Sequence, residues 1–232
     1  MPTDSPALTL HMHPLASYCW KVLIALREGG TPFEQAVPPG PSRTDPRLTA
    51  IWPFGKIPVL EDTARGEVVA ETSIIIDYLQ QHYPGPVRLI PEEPGAAREA
   101  RLWDRFADLY FSANMQKIVG DRLRPEAVRD AHGVEEARGQ LDIAYALFER
   151  RMTGREWAGG EAFSMADCAT FPPLFFLQAI HPYRADYPAI TAYVERMLLR
   201  PSVRETVRAA QPFFQYFPFG DALEPRFLNG DF

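Results

Sequence analysis

Short apolar runs bounded by turn residues occupy the first third of the chain, as is typical of strands. They lie at residues 8–12, 33–37, 57–60 and 67–70. Two further segments, at 21–27 and 72–79, space their apolar residues three and four positions apart, which predicts helices. The predicted element order is therefore β-α-β-β-β-α, a small α/β domain.

A proline-rich stretch separates this part of the chain from the rest. Four prolines stand at positions 84, 86, 91 and 94. Because proline cannot continue a helix, the stretch indicates a domain boundary. Beyond it, apolar residues recur at helical spacing. The pattern thus predicts an α/β plus all-α protein, with domains at residues 1–84 and 96–232.

The predicted helices of the second domain include one with a marked start. Ser164 and Asp167 stand in an S-x-x-D pattern, which predicts a capping box at its first turn. The pair Pro172-Pro173 falls inside the same apolar run and indicates a kink or a break there.

Composition and charge limit the kinds of partner that we expect this protein to bind. The chain has 232 residues, a formal net charge of −6 and a pI of about 5.4, which argues against nucleic acid or an anionic membrane as a general partner. Residues 1–7 hold no apolar signal-peptide core, and no apolar run approaches the ~20 residues that cross a bilayer. Cys19 and Cys168 form no C-x-x-C pair, so no disulfide framework or zinc site is indicated. We expect a cytoplasmic protein without a membrane partner.

Two segments of the predicted α/β domain have features that can bind a small ligand. Ser17 follows the first strand at a helix start, where the helix dipole favours an anion and a hydroxyl can donate to a thiolate. The alternative is that Ser17 only caps the helix. Ile57-Pro58 precedes a strand, and a cis bond there would leave the Ile57 backbone free to pair with an extended peptide.

Two further features carry charge. Glu71 and Thr72 stand between a strand and a helix, where Thr72 suits a carboxylate and Glu71 suits an ammonium group. Lys56 lies beside the peptide-binding edge and can take a second carboxylate. The plainer interpretations are a helix cap for the first pair and a solvated surface charge for Lys56. Together the features predict a site for a small zwitterionic peptide that carries a thiol.

These residues belong to four motifs that follow one another along the chain. The motifs are His13-Pro-Leu-Ala-Ser-Tyr-Cys-Trp-Lys-Val22, Pro53-Phe-Gly-Lys-Ile-Pro-Val-Leu60, Glu71-Thr-Ser-Ile-Ile75 with Tyr78-Leu79, and Phe163-Ser-Met-Ala-Asp167. With them the chain resembles the cytosolic glutathione transferases, of the bacterial type with a serine-like active-site loop, over nearly its whole length. The resemblance implies a thioredoxin-like domain followed by a helical domain, glutathione as co-substrate, no metal, and a detoxifying reaction.

Residue by residue, the resemblance implies roles for the first domain. Pro58 would be a cis-proline and Ile57 the backbone partner of the glutathione cysteine. Glu71 and Thr72 would hold the γ-glutamyl end, and Lys56 would lie near the glycine carboxylate.

The resemblance also implies an electrophilic small molecule as the second substrate, bound between the domains. We expect it near Tyr18, Tyr110 and Phe111. A homodimer is implied as well, and Trp103 and Phe106 offer apolar surface for it beyond what one small core needs.

The chain departs from the family pattern at the catalytic position. With the basic residue of the S-x-x-x-x-R/K pattern aligned on Lys21, Ala16 takes the usual serine position and the hydroxyl follows at Ser17. Against a redox C-P-Y-C loop, Cys19 matches only the second cysteine, which counts against thiol–disulfide exchange. We predict Ser17 as the catalytic hydroxyl, with Tyr18, Cys19 or backbone N–H groups as alternatives. A glutathione-dependent isomerase or dehalogenase, or a non-catalytic interaction protein, are the alternative functions.

Overall fold

The computed structural model describes residues 6–232. Residues 1–5, which belong to the segment predicted to lack a signal-peptide core, lie outside that range. Within residues 6–232, no helix combines the length and the apolar character that a membrane crossing requires.

A four-stranded sheet forms the core of the N-terminal part. Its strands are β1 (Leu8–His11), β2 (Glu34–Ala36), β3 (Val59–Asp62) and β4 (Glu67–Ala70), in the order β2-β1-β3-β4. β1 pairs in parallel with β2, and β3 pairs antiparallel with both β1 and β4. All four predicted strands are present, with small shifts of their ends.

Three helices accompany the sheet: α1 (Ser17–Gly29), α2 (Pro46–Ile51) and α3 (Thr72–His82). α1 ends where Gly30 adopts a left-handed φ of 62°, which costs glycine no Cβ clash. The sequence pattern does not predict α2, because its 6 residues are too few to show a helical period. It forms because the Asp45 side chain accepts from the N–H of Arg47 and Pro46 suits the first helical turn.

The C-terminal part is helical. Its helices are α4 (Pro94–Phe106), α5 (Ala113–Arg122), α6 (Ala131–Met152), α7 (Met165–Ile180), α8 (Pro188–Leu198), α9 (Pro201–Ala210) and α10 (Pro225–Asn229). The π-helical turn Ala107–Ser112 joins α4 to α5 without interruption, so the two helices form one rod, which we call the α4–α5 rod. A thioredoxin-like part followed by a helical part is the architecture that the sequence predicts.

Helix α7 lies at the centre of the helical part, because every one of its residues is buried. Ser164 and Asp167 form the predicted capping box at its first turn. Pro172 and Pro173 lie inside the helix, which does not break there. Apolar packing on all sides outweighs the two missing N–H donors.

Packing of α1 on α7 joins the two parts of the chain. The Trp20 ring lies with its centroid 6.5, 5.0 and 4.8 Å from those of Phe171, Phe175 and Phe176. Its indole N–H donates to the C=O of Pro14 at 2.6 Å. A fully buried aromatic with a satisfied polar atom is a strong contributor to packing, so the two parts share one continuous core.

Two aromatic residues that the sequence assigns to a subunit interface belong to this core instead. Trp103 is 8% exposed and Phe106 is 7% exposed. Both pack on Phe148, with ring centroids 5.8 and 6.4 Å away. Helical spacing shows that a helix face is buried, but it does not show whether the core of the same chain or a second subunit covers that face. The expectation that Trp103 and Phe106 offer apolar surface for a dimer is therefore wrong.

Candidate active site

A cleft of about 510 Å³ opens between the N-terminal part and the α4–α5 rod, and residues of both line it. It brings together six of the nine residues that the sequence assigns to the site: Tyr18, Lys56, Ile57, Pro58, Glu71 and Thr72. The remaining three, Ser17, Tyr110 and Phe111, are not in its wall.

The N-terminal end of α1 forms the first wall. Ala16 is the N-cap residue, with extended backbone (φ −86°, ψ 112°), and both Ala16 and Tyr18 line the cleft. Ser17 between them is 2% exposed, and its hydroxyl has no hydrogen-bond partner in the described part of the chain. Consecutive helical side chains point about 100° apart. Ser17 is therefore turned away from the wall that its two neighbours form, and it does not cap the helix.

Tyr18 supplies a hydroxyl to this wall. Its phenol donates to the backbone C=O of Asp108 at 3.3 Å. Burial, assisted by the negative charge of Asp108, raises the pKa of Tyr18 to about 12, so the phenol stays protonated at neutral pH and can donate. Cys19 is fully buried, and burial raises the pKa of its thiol to about 12, so it is not an accessible thiolate.

The loop before β3 forms the second wall. The predicted cis peptide bond between Ile57 and Pro58 is confirmed, and both residues line the cleft beside the exposed Lys56. Gly55 has a φ of 58°, and a Cβ there would lie 2.5 Å from the Cα of Arg43. Only glycine allows this approach, which brings Arg43 to the same wall.

The junction of β4 and α3 forms the third wall. Glu71 has a φ of 68°, a left-handed conformation that costs a non-glycine residue about 1–3 kcal/mol. It is the N-cap residue of α3, yet its side chain makes no capping hydrogen bond, and it is exposed to the cleft. Thr72 follows in the first turn, where backbone N–H groups lack helical acceptors. Strain of this kind points to a functional role.

The α4–α5 rod forms a fourth wall, which the sequence motifs do not predict. Arg105, Leu109, Ala113 and Gln116 lie three or four positions apart and line the cleft together with Asp108. That spacing places them on one helix face. The signal is visible in the sequence, but the sequence does not show which face of a helix meets the other domain.

Tyr110 and Phe111 face elsewhere. Phe111 is 0% exposed and packs between Tyr145 and Phe148, with ring centroids 5.8 and 5.6 Å away. Tyr110 is 46% exposed but outside the cleft wall. Phe111 therefore belongs to the core of the helical part, and neither residue lines the cleft that the other predicted site residues form.

A buried ion cluster attaches the rod to α1. The Lys21 Nζ lies 2.7 Å from Asp104 Oδ1, 2.8 Å from Asp108 Oδ2 and 3.0 Å from Ser73 Oγ. The Lys21 and Asp104 side chains are each 1% exposed. Burial raises the pKa of Asp108, although Lys21 opposes the shift. One cation facing two carboxylates fixes Asp108, and with it the Tyr18 phenol, at the edge of the cleft.

Two family profiles match the chain. “Glutathione S-transferase, N-terminal domain” matches residues 10–87, and “Glutathione S-transferase, C-terminal domain” matches residues 131–196. Glutathione S-transferase 3 of Zea mays is 30% identical over 213 residues, which cover 87% of this chain and 94% of that protein. Glutathione S-transferase GstB of Escherichia coli strain K12 is 26% identical over 190 residues, covering 81% of this chain and 91% of that protein.

A solved structure shows the same similarity in three dimensions. It is that of a glutathione S-transferase from Methylobacterium radiotolerans in complex with glutathione sulfonate, which superposes with a TM-score of 0.77 at 28% identity. The superposition covers 86% of this chain and 93% of that chain. The similarity therefore extends over both the sheet-containing part and the helical part.

Proposed function

This chain belongs to the glutathione S-transferase family, and we propose that its cleft binds glutathione and transfers it to an electrophilic small molecule. One observation carries the proposal: the Pro58 loop, the strained Glu71 and the start of α1 surround a single cleft. They present a free backbone edge, a carboxylate and a helix dipole. These are complementary to the peptide backbone, the ammonium group and the thiolate of glutathione.

Each end of glutathione has a complementary group in this proposal. The Ile57 backbone pairs with the cysteine of glutathione. The Thr72 hydroxyl and N–H take the γ-glutamyl carboxylate, and Glu71 takes the ammonium group. Lys56 and Arg43, which line the same side of the cleft, supply positive charge for the glycine carboxylate.

The thiolate is held at the start of α1. A free thiol has a pKa near ~8.5, and lowering it by two units requires about 2.7 kcal/mol. A hydrogen bond to a charged group contributes about 1.5–3 kcal/mol, and a helix N-terminus about 0.3–1 kcal/mol. The Tyr18 phenol is protonated and lines the cleft, so we assign the donor role to Tyr18, whose O–H exchanges its 3.3 Å hydrogen bond to the Asp108 C=O for one to the thiolate. Ser17, which the sequence motif favours, is the alternative donor.

The proposed reaction is nucleophilic attack by sulfur. The thiol proton passes to water, and a sulfur lone pair forms the bond to the electrophilic carbon. The leaving group departs with the electron pair of the bond that breaks. This chemistry needs no metal, and removal of reactive electrophiles is the detoxifying role that it serves.

Paired variants test the assignment of the donor. We expect Tyr18→Phe to lower kcat by about 10–100-fold, because a charge-assisted hydrogen bond of about 1.5–3 kcal/mol is lost. The pKa of bound glutathione, measured by ultraviolet absorbance of the thiolate, should rise in parallel. Glutathione affinity measured by calorimetry should change little, because Lys56, Glu71 and Thr72 still hold the peptide.

Ser17→Ala is the matched variant for the neighbouring hydroxyl. We expect it to leave kcat within about twofold of the parent protein and the thiol pKa within about 0.3 units. The opposite pattern, with the loss in Ser17→Ala and none in Tyr18→Phe, would return the donor role to Ser17. Absence of glutathione binding in the parent protein would refute the proposed function itself.

We also propose that the chain forms a homodimer in the cytoplasm. Ile74 on α3 is 58% exposed and Leu102 on α4 is 54% exposed. The hydrogen bond from Ser73 to Asp104, at 2.5 Å, connects these two helices. Their exposed apolar side chains are the surface that we assign to the dimer contact. Two buried free cysteines suit a reducing compartment. Sedimentation at about 26.2 kDa across micromolar concentrations would contradict the dimer.

A further inference from the structure

Arg105 brings an uncommitted positive charge to the rod side of the cleft. Its side chain is exposed and lines the cleft. Its neighbours Asp104 and Asp108 direct their carboxylates to Lys21, at 2.7 and 2.8 Å. Within residues 6–232, Arg105 forms neither an ion pair nor a side-chain hydrogen bond, and its charge acts only at longer range, where it opposes the raised pKa of Tyr18 and of Asp108. Its charge is therefore available to a ligand.

Glutathione does not require this charge. In the proposed function, Lys56 and Arg43 lie near its glycine carboxylate, and Thr72 takes its γ-glutamyl carboxylate. Those residues belong to the N-terminal walls, whereas Arg105 belongs to the rod on the opposite side. The guanidinium thus lies on the rod side of the cleft and is not among the residues assigned to glutathione.

The surface next to Arg105 changes from charged to apolar along the rod. Leu109, one turn further on, is 48% exposed, and Ala113 follows after another turn. Ala113 is small, and Gln116 follows it in the cleft wall. A flat apolar body fits against such a strip, with a charged end at the guanidinium.

We propose that the cleft selects electrophiles that carry an anionic group of the carboxylate class on an apolar body. Arg105 binds the anion through its guanidinium fork, which matches a carboxylate. Leu109 and Ala113 contact the body and hold the reacting carbon toward the start of α1. The inference rests on the proposed function, because it names the class of the second substrate for that same site.

Two electrophiles that differ in one group test this selection. 4-Chloro-3-nitrobenzoate carries a carboxylate where 4-chloro-3-nitrobenzamide carries a neutral amide of similar size. With either one, the glutathione sulfur bonds to the ring carbon that bears chlorine, and chloride leaves with the C–Cl electron pair. Each kcat/KM is divided by the rate constant of the uncatalysed reaction with glutathione, which removes the difference in intrinsic reactivity.

We expect the parent protein to prefer the benzoate by about tenfold or more after this correction. Arg105→Gln should abolish the preference by lowering kcat/KM for the benzoate, and it should leave the benzamide within about twofold. Arg105→Lys should keep part of the preference. The matched control is Arg101→Gln, one turn earlier on the rod and outside the cleft, where Arg101 lies 3.7 Å from Asp77. It should leave the preference intact.

Three results would overturn the inference: no preference in the parent protein, equal loss for both compounds in Arg105→Gln, or a change confined to the KM for glutathione. Calorimetry with glutathione alone reports on the proposed function separately. If glutathione does not bind, both proposals fail. If glutathione binds but neither compound reacts, the affinities of the two S-aryl conjugates of glutathione are compared instead. Equal affinity for the benzoate and benzamide conjugates refutes the selection. Tighter binding of the benzoate conjugate, abolished in Arg105→Gln, supports it.

Discussion

Replacing Lys21 by Met should destabilise the fold severely, and in a way that depends on pH. Lys21 is the cation for two carboxylates, at 2.7 Å from Asp104 and 2.8 Å from Asp108, and these side chains are 1% and 11% exposed. Removing one partner of a buried ion pair costs about 3–5 kcal/mol, because the remaining charge stays desolvated. We therefore expect Lys21→Met to lower the free energy of unfolding by about 3–5 kcal/mol at pH 8.

The sign of the pH dependence follows from the pKa of Asp108. Burial already raises the pKa of Asp108 in the parent protein and Lys21 opposes that rise, so the loss of Lys21 raises the pKa of Asp108 further. A raised pKa of an acid means that the folded state gains protons as the pH falls. The penalty is therefore largest at pH 8 and shrinks toward pH 5. Urea unfolding followed by tryptophan fluorescence at both pH values measures it.

Two further variants make this prediction decisive. Lys117→Met removes a lysine that is 44% exposed and pairs with Glu136 at 3.2 Å, so it should cost less than about 1 kcal/mol at either pH. If Lys21→Met does not fold, the double variant Lys21→Met with Asp104→Asn restores part of the charge balance and should fold. A loss below about 1 kcal/mol at pH 8, or a larger loss at pH 5 than at pH 8, would refute the reasoning.

Two other residues separate stability from ligand binding. Asp167 accepts from the backbone N–H groups of Ala158 and Ser164, at 2.8 and 2.9 Å, and from the Tyr193 hydroxyl at 3.1 Å. Asp167→Ala should therefore cost at least about 3 kcal/mol in urea unfolding. Asp167→Asn should recover only part of that loss, because one amide oxygen still accepts while the amide NH2 group faces an N–H donor that the second carboxylate oxygen accepted from. Phe111→Ala should cost about 3–5 kcal/mol through the cavity it leaves. Its KM for either substrate should not change, and a raised KM for the electrophile would put Phe111 back at the site.

Local sequence signals were sufficient for the features that depend on near neighbours in the chain. Short apolar runs predicted the four strands, and the S-x-x-D pattern predicted the cap formed by Ser164 and Asp167. The resemblance drawn from four motifs led to the family and, through the family, to the cis bond at Ile57-Pro58. Glu71 and Thr72, which the sequence assigns to the site, line the cleft. Their position could be predicted because the end of a strand and the start of the next helix are adjacent in the chain.

Tertiary packing decided the features that depend on which surfaces meet. The sequence predicted a helical face at Trp103 and Phe106 but not that the core covers it. It placed Phe111 at the site, whereas that side chain packs in the helical core and Arg105 and Asp108 line the cleft. Ser17 is the clearest case: the motif favours its hydroxyl, but one helical residue is a rotation of about 100°. That rotation places Tyr18 in the cleft wall and leaves Ser17 buried beneath it.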